Sequence, residues 1–282
     1  MSRKGVRVGI SPCPNDTFVF HALLVGAIVP RGFDLEMQLC DVQELNQRFA
    51  AGDLDASKVS FAAALGMDDV VVLRTGAALG FGVGPLLLAR QGAPPLAEAR
   101  ILCPGAATTA HLLYRMFHPG EGRVEHVVFS DILPALASGR ADYGVCIHEG
   151  RFTYERHGLV RVEDLGETWE RATRRPLPLG GIVARASLGA AMLRELDRAI
   201  RASLDHARVH ADEAFATARA HAVELDEDVL RAHVELYVNA WTRDLGDDGE
   251  AALGELSRRA RAAGFAAPRA RDLCILARDG SP

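Results

Sequence analysis

The residues with the clearest chemical potential lie in Ala141–Tyr154, ADYGVCIHEGRFTY. An apolar run, Tyr143–Ile147, reads as a short strand. It gives way to His148, Glu149, Gly150 and Arg151, where a loop should begin. In open α/β sheets, ligands sit beyond the carboxyl ends of the strands. A histidine at such an end titrates near neutral pH and can move protons, so His148 is the candidate general base. The alternative is a loop histidine with a structural hydrogen bond.

The elements that must position His148 form two α/β series of similar design. Each opens with a strand and a proline-containing turn, then a helix start rich in small polar groups. These are SPCPNDTF (Ser11–Phe18) in the first series and CPGAATTA (Cys103–Ala110) in the second. Each later carries an Asp-capped helix closed by Gly-x-x-Asp, at Gly52–Asp55 and at Gly139–Asp142, feeding a strand that ends in Ser60 or His148. If two lobes face each other, Ser11, Ser60, Thr108, Thr109 and His148 line one cleft. Thr108 and Thr109 would open a helix, where unpaired N–H groups and the positive end of the dipole favour a carboxylate. One of the two threonines is expected only to cap the helix. Lys58 or Arg151 could add a cation, although solvation at the surface is the commoner fate of either. Asn15 or Asp16 can cap the helix after the SPCP turn.

Strands are expected at Val6–Ile10, Phe33–Leu39, Asp55–Phe61, Val70–Leu73, Pro85–Ala89, Ile101–Gly105, Val124–Phe129, Val160–Val162 and Leu177–Ala186. Helices are expected from Asn15 to Val25, from Asp41 to Gly52, from Thr108 to Phe117, from Asp131 to Gly139 and from Glu167 to Arg174. Gln91–Ala99, QGAPPLAEA, reads as a linker, so the chain should cross between lobes near Arg90 and return near Leu177. Residues 1–89 and 178–282 would then form the larger lobe and residues 90–177 the smaller one. From Leu188 the pattern is helical: one long helix to Ala222, then Asp226–Trp241 and Asp247–Ala263. These helices read as packing that covers a lobe, without chemistry of their own.

Other chemistries lack their signatures. GFGVG, Gly80–Gly84, is not a GxGxxG between strand and helix, because Pro85 and a strand-like run follow; a hinge or a close backbone approach suits it better. No HExxH or HxE pattern surrounds His148, so no metal is expected. No GxSxG elbow supports Ser60 as a nucleophile. The five cysteines are odd in number and form no CxxC, so neither disulfides nor zinc are suggested. Of 282 residues, 49% are hydrophobic, enough for a sizeable core. A net charge of −5 and 6% aromatics disfavour nucleic-acid partners. No apolar run reaches the roughly 20 residues of a membrane helix, and the N-terminus lacks the apolar core of a signal peptide. A reduced cytoplasmic compartment is the expectation.

SPCPNDTFVF, DVQELNQ, KVSF, GAALGFGVGPLL, PGAATTA, IHEGRFTY and LPLGGIV, in this order, resemble the 1,4-dihydroxy-6-naphthoate synthase family of the futalosine route to menaquinone. The resemblance runs from about Ser11 through Arg185. It implies a periplasmic-binding-protein-like (type II) fold of two α/β lobes with a ligand cleft between them and a helical C-terminal region. It implies a lyase without cofactor that splits cyclic dehypoxanthinyl futalosine into 1,4-dihydroxy-6-naphthoate and dihydroxyacetone. The family's histidine base maps to His148. Its ligand contacts map to Lys58, Val59, Ser60, Thr108 and Thr109, and Ser11, Asn15 and Arg151 complete the expected binding set. The partner would be a small carboxylate; the oligomeric state is left open. Two other readings stand beside it: chorismate dehydratase of the same pathway, and a solute-binding protein without turnover.

Overall fold

The computed structural model describes residues 4–148, 150–222, 226–266 and 272–278. Its strands are β1 (Lys4–Ile10), β2 (Phe33–Leu39), β3 (Ala56–Ser60), β4 (Val70–Val72), β5 (Ala78–Gly80), β6 (Leu86–Ala89), β7 (Arg100–Cys103), β8 (Arg123–His126), β9 (Tyr143–Cys146), β10 (Val160–Asp164) and β11 (Leu177–Arg185). The helices that precede β11 are α1 (Pro14–Val19), α2 (His21–Leu24), α3 (Val42–Ala51), α4 (Phe61–Ala64), α5 (Thr109–Phe117), α6 (Ile132–Ala137), α7 (Gly150–Thr153) and α8 (Leu165–Thr173). After β11 come α9 (Ala190–Val209), α10 (Ala211–His221), α11 (Glu227–Tyr237), α12 (Ala240–Arg243) and α13 (Gly246–Ala262).

The strands form two sheets. The first has the order β2-β1-β3-β11-β4, with β5 paired to β11; the second has the order β10-β6-β9-β7-β8. In the first, β1 runs parallel to β2 and β3, and β11 lies antiparallel to β3. In the second, β7 runs parallel to β8 and β9, and β6 lies antiparallel to β9. The two sheets therefore repeat one topology, and the repeat reaches single residues. The Arg7 backbone N–H donates to Asp55 Oδ2 at 2.9 Å, and the Arg100 backbone N–H donates to Asp142 Oδ2 at the same 2.9 Å. Each aspartate returns its own N–H to the carbonyl of that arginine. Both follow a helix-ending glycine with positive φ, Gly52 at 94° and Gly139 at 72°, where a side chain would be strained.

The expected crossover near Arg90 is a strand too late. Leu86–Ala89 pairs with β9 and β10 and so belongs to the second sheet. An all-apolar LLLA run fits the middle of either sheet, so its pattern does not say which one it joins. The chain crosses instead in Phe81–Pro85. There Gly84 meets Gly166 so closely that a Cβ on Gly84 would lie 2.2 Å from the Gly166 Cα.

Several expected elements are shorter than their sequence patterns. The helix expected from Asn15 to Val25 divides at Phe20, and the one from Leu188 to Ala222 divides at His210. Asp131 makes no side-chain cap, whereas Asp164 caps α8 through the N–H groups of Gly166 and Glu167. The strand expected to reach Phe129 stops at His126, and Phe129–Asp131 forms a 3-10 turn.

One apolar cluster joins Val6, Val8 and Ile10 of β1 to Leu196, Ile200 and Leu204 of α9 and to Leu230 and Val234 of α11. Another spans both lobes, from Val59 and Phe61 to Ile101, Val145 and Trp169. Burying such side chains contributes about 1.5–3 kcal/mol each. Among the described residues, no helix is long and apolar enough to cross a membrane.

Candidate active site

A cavity of about 100 Å³ lies between the two sheets. The turn after β1, the end of β3, the start of α5, the end of β9 and helix α11 all contribute walls. Eight of the nine expected residues line it: Ser11, Asn15, Lys58, Val59, Ser60, Thr108, Thr109 and His148. The ninth, Arg151, does not. Its guanidinium donates to the Gly84 carbonyl and to Asp164 Oδ2, both at 2.6 Å, and Asp164 has no exposed side-chain surface. Arg151 thus ties α7 to the interlobe crossing and to the cap of α8.

His148 follows β9 by two residues, beyond the carboxyl end of the strand. Its φ is +56°. A side chain other than glycine is strained in that region, and such strain concentrates at functional sites. The ring stands 3.4 Å through Nδ1 from the Cys13 sulfur, edge-on to Phe129 at 4.9 Å and parallel to His233 at 6.2 Å between centroids. Glu149, the next residue of the motif, lies outside the described residues.

A buried polar network lines the same cavity. Lys58 Nζ donates to Asp16 Oδ1 at 2.6 Å and to the Gly76 carbonyl at 3.2 Å. Asp16 also accepts from the Ser11 hydroxyl at 2.6 Å and from Asn15 Nδ2 at 2.8 Å. The Asp16 and Lys58 side chains are only 4% and 9% exposed. At that burial the ion pair holds because several hydrogen bonds share the desolvation cost. Asp16, considered from sequence only as a helix cap, is the centre of this network.

Ser60 and Thr109 meet across the lobes. The Thr109 backbone N–H donates to Ser60 Oγ at 2.8 Å, and the two hydroxyl oxygens are 2.9 Å apart. The Thr109 hydroxyl donates to the Leu179 carbonyl at 2.7 Å, so the Ser60 hydroxyl must donate to Thr109 Oγ1. Thr108 caps α5: its hydroxyl accepts from the His111 N–H at 3.2 Å and donates to the Gly105 carbonyl at 2.9 Å. Thr109 therefore ties the start of α5 to Ser60 and to Leu179 at the cavity wall, and Thr108 holds the helix start.

The C-terminal helices are not mere packing. α11 brings His233 and Tyr237 to the cavity. His233 is fully buried, and its Nε2 lies 2.9 Å from Asn15 Oδ1. Burial first, then the nearby His148 and Lys58, push its pKa down to about 3, because each disfavours a second positive charge. Burial likewise raises the Tyr237 phenol. In sequence, His233 and Tyr237 fall on the apolar stripe Val229, Leu230, His233, Val234 and Tyr237. A histidine on such a stripe was the available signal, and it is a weak one.

A family model described as menaquinone biosynthesis matches residues 6–262. The chain is 47% identical over 273 residues to a 1,4-dihydroxy-6-naphthoate synthase of Thermus thermophilus, covering 96% of this chain and 100% of the relative. It is 42% identical over 271 residues to the synthase of Streptomyces coelicolor, covering 94% and 96%. Among solved structures, a protein of Archaeoglobus fulgidus superposes with a TM-score of 0.87 at 31% identity, covering 93% of this chain and 98% of that one. The periplasmic aliphatic sulphonate binding protein of Escherichia coli gives a TM-score of 0.65 at 11% identity, covering 100% and 96%. The fold is periplasmic-binding-protein-like, as expected from the sequence.

Proposed function

The chain belongs to the menaquinone biosynthesis family, and we propose that it acts as a lyase of the 1,4-dihydroxy-6-naphthoate synthase type on cyclic dehypoxanthinyl futalosine, with His148 as general base. The near full-length similarity to two synthases supports the enzyme class. The observation that carries the reading is the strained His148 beyond a strand end, lining the same cavity as Lys58, Ser60 and Thr109.

In this reading the substrate carboxylate is received at the start of α5, by the Thr109 N–H and the Ser60 hydroxyl. Both groups now bond to each other and can exchange that bond for an anion. His148 takes the proton of the hydroxyl on the carbon that leaves. The electron pair of the breaking carbon–carbon bond passes into the ring that becomes aromatic, and the hydroxyl carbon departs as the carbonyl of dihydroxyacetone. An imidazole at the edge of a cavity between two lobes can make this transfer. Contact between the lobes at Ser60 and Thr109 would exclude water from the intermediate.

The test is incubation of purified protein with cyclic dehypoxanthinyl futalosine and, separately, with chorismate. Formation of 1,4-dihydroxy-6-naphthoate and dihydroxyacetone in equal amounts is expected from the first and no dehydration of the second. Tight binding of the futalosine without product would make the protein a binder, and turnover of chorismate alone would make it the dehydratase.

A further inference from the structure

We propose that His233 is a substrate-binding residue whose Nδ1, held permanently as a bare acceptor, receives a hydrogen bond from a hydroxyl of the substrate. This deepens the function proposed above and rests on it.

The argument is one of forced polarity. Asp16 is paired with Lys58, and a carboxylate in such a pair offers only acceptors. The Asn15 atom facing it at 2.8 Å must therefore be the amide nitrogen. The Asn15 carbonyl then faces His233, and the 2.9 Å contact requires a proton on Nε2. In a neutral imidazole this leaves Nδ1 with a lone pair and no proton. That Nδ1 is buried and has no hydrogen-bond partner among the described residues. The side chain bearing it lines the cavity. A buried acceptor without a partner costs roughly 1–3 kcal/mol, so an unpaired one on a side chain that lines a binding cavity points to a partner that arrives with the ligand.

The groups around the ring agree. His148, from the loop after β9, and Tyr237, one turn along the same helix, have ring centroids 6.2 Å and 4.7 Å away, and Phe152 of α7 approaches at 6.4 Å. Lys58 and His148 are the neighbouring basic groups, and both resist protonation of His233. Such a weak base is a poor proton acceptor in the reaction, and it is a dependable hydrogen-bond acceptor. His233 and His148 thus divide the work, with one holding a hydroxyl and the other taking a proton.

Two measurements test this. In protein labelled with ¹⁵N at histidine, His233 should show the Nε2–H tautomer from pH 5 to 8 without titrating. Its Nδ1 resonance should move upfield when 1,4-dihydroxy-6-naphthoate or a slowly turned over futalosine fills the cavity. A His233 that titrates in this range, carries its proton on Nδ1, or does not respond to either ligand overturns the assignment. In kinetics with cyclic dehypoxanthinyl futalosine, His233→Phe should raise KM roughly 5- to 150-fold, the equivalent of one hydrogen bond to a buried acceptor, and keep the acid limb of the pH profile. His233→Gln, whose amide can donate to Asn15 while its oxygen still accepts, should recover part of the loss. A folded His233→Phe enzyme with wild-type constants overturns the acceptor and leaves the function standing. A wild-type enzyme that does not cleave the futalosine overturns both.

Discussion

Ser60 Oγ lies 2.8 Å from the backbone nitrogen of Thr109, joining β3 of the first sheet to α5 of the second. The neighbouring Thr108 is spent on the cap of the same helix. Two adjacent threonines therefore have separable roles. Thr109→Val removes the oxygen to which the Ser60 hydroxyl donates, so it disturbs the pair that receives the carboxylate, and it should weaken binding of 1,4-dihydroxy-6-naphthoate by about 1–3 kcal/mol, the range for a lost hydrogen bond. Thr108→Val should lower folding stability by about 1 kcal/mol through the lost cap and leave affinity nearly intact. Calorimetric titration and denaturant melts of the two variants separate these outcomes; equal affinity losses would refute the division.

His148→Asn keeps a polar group of similar reach and removes the imidazole. Turnover should fall roughly 10²- to 10⁴-fold, the usual contribution of a general base. KM should change much less, since the loss is confined to the transition state. A lowered melting temperature with near-normal turnover would instead assign His148 to structure.

The Lys58–Asp16 pair is a buried ion pair at the centre of a network. Lys58→Met leaves the Asp16 carboxylate without its counterion and should cost about 3–5 kcal/mol in urea unfolding. Adding Asp16→Asn should restore part of that loss, because the stranded charge is gone. A double variant no more stable than the single one would show that Ser11 and Asn15, and not Lys58, hold the aspartate.

His233 also makes stability depend on pH. Its folded pKa of about 3 lies below the ordinary histidine value of about 6.5. Above pH 6.5 it is neutral whether the chain is folded or not, and it adds no slope. As pH falls from 6.5 towards 3, only the unfolded chain takes up the proton, so stability is lost by up to about 1.4 kcal/mol per pH unit from this group. Burial lowers His21, His111 and His126 as well, with the same sign. The slope of unfolding free energy against pH in this window should be shallower in His233→Phe than in the wild type.

Much of the site could be read from sequence because its residues end strands or begin helices. Ser60 and His148 stand at the ends of β3 and β9, and Thr109 opens α5; strand and helix punctuation marks all three. His233 was hidden for the opposite reason. It sits in mid-helix, on a stripe whose other members are core residues, and only the packing of α11 against the SPCPN turn reveals its partner Asn15. Arg151 was misassigned because a charge beside a catalytic motif looks like a ligand group, whereas Asp164, thirteen residues on, claims it. The lobe boundary at Leu86 was obscured because an apolar strand carries no mark of which sheet it will join.

The position of β11 has a consequence for how the chain emerges from the ribosome. It lies between β3 and β4 in the first sheet, yet it follows all strands of the second sheet in sequence. By the time Asp164 has been synthesised, β6 to β10 are all present and the second sheet can close. The first sheet, although it holds the earliest residues, still lacks its central strand until Arg185 appears. The lobe begun first is thus finished last. The cavity waits longer still, for the helix that carries His233 and Tyr237, so no nascent chain shorter than that can possess the walled site.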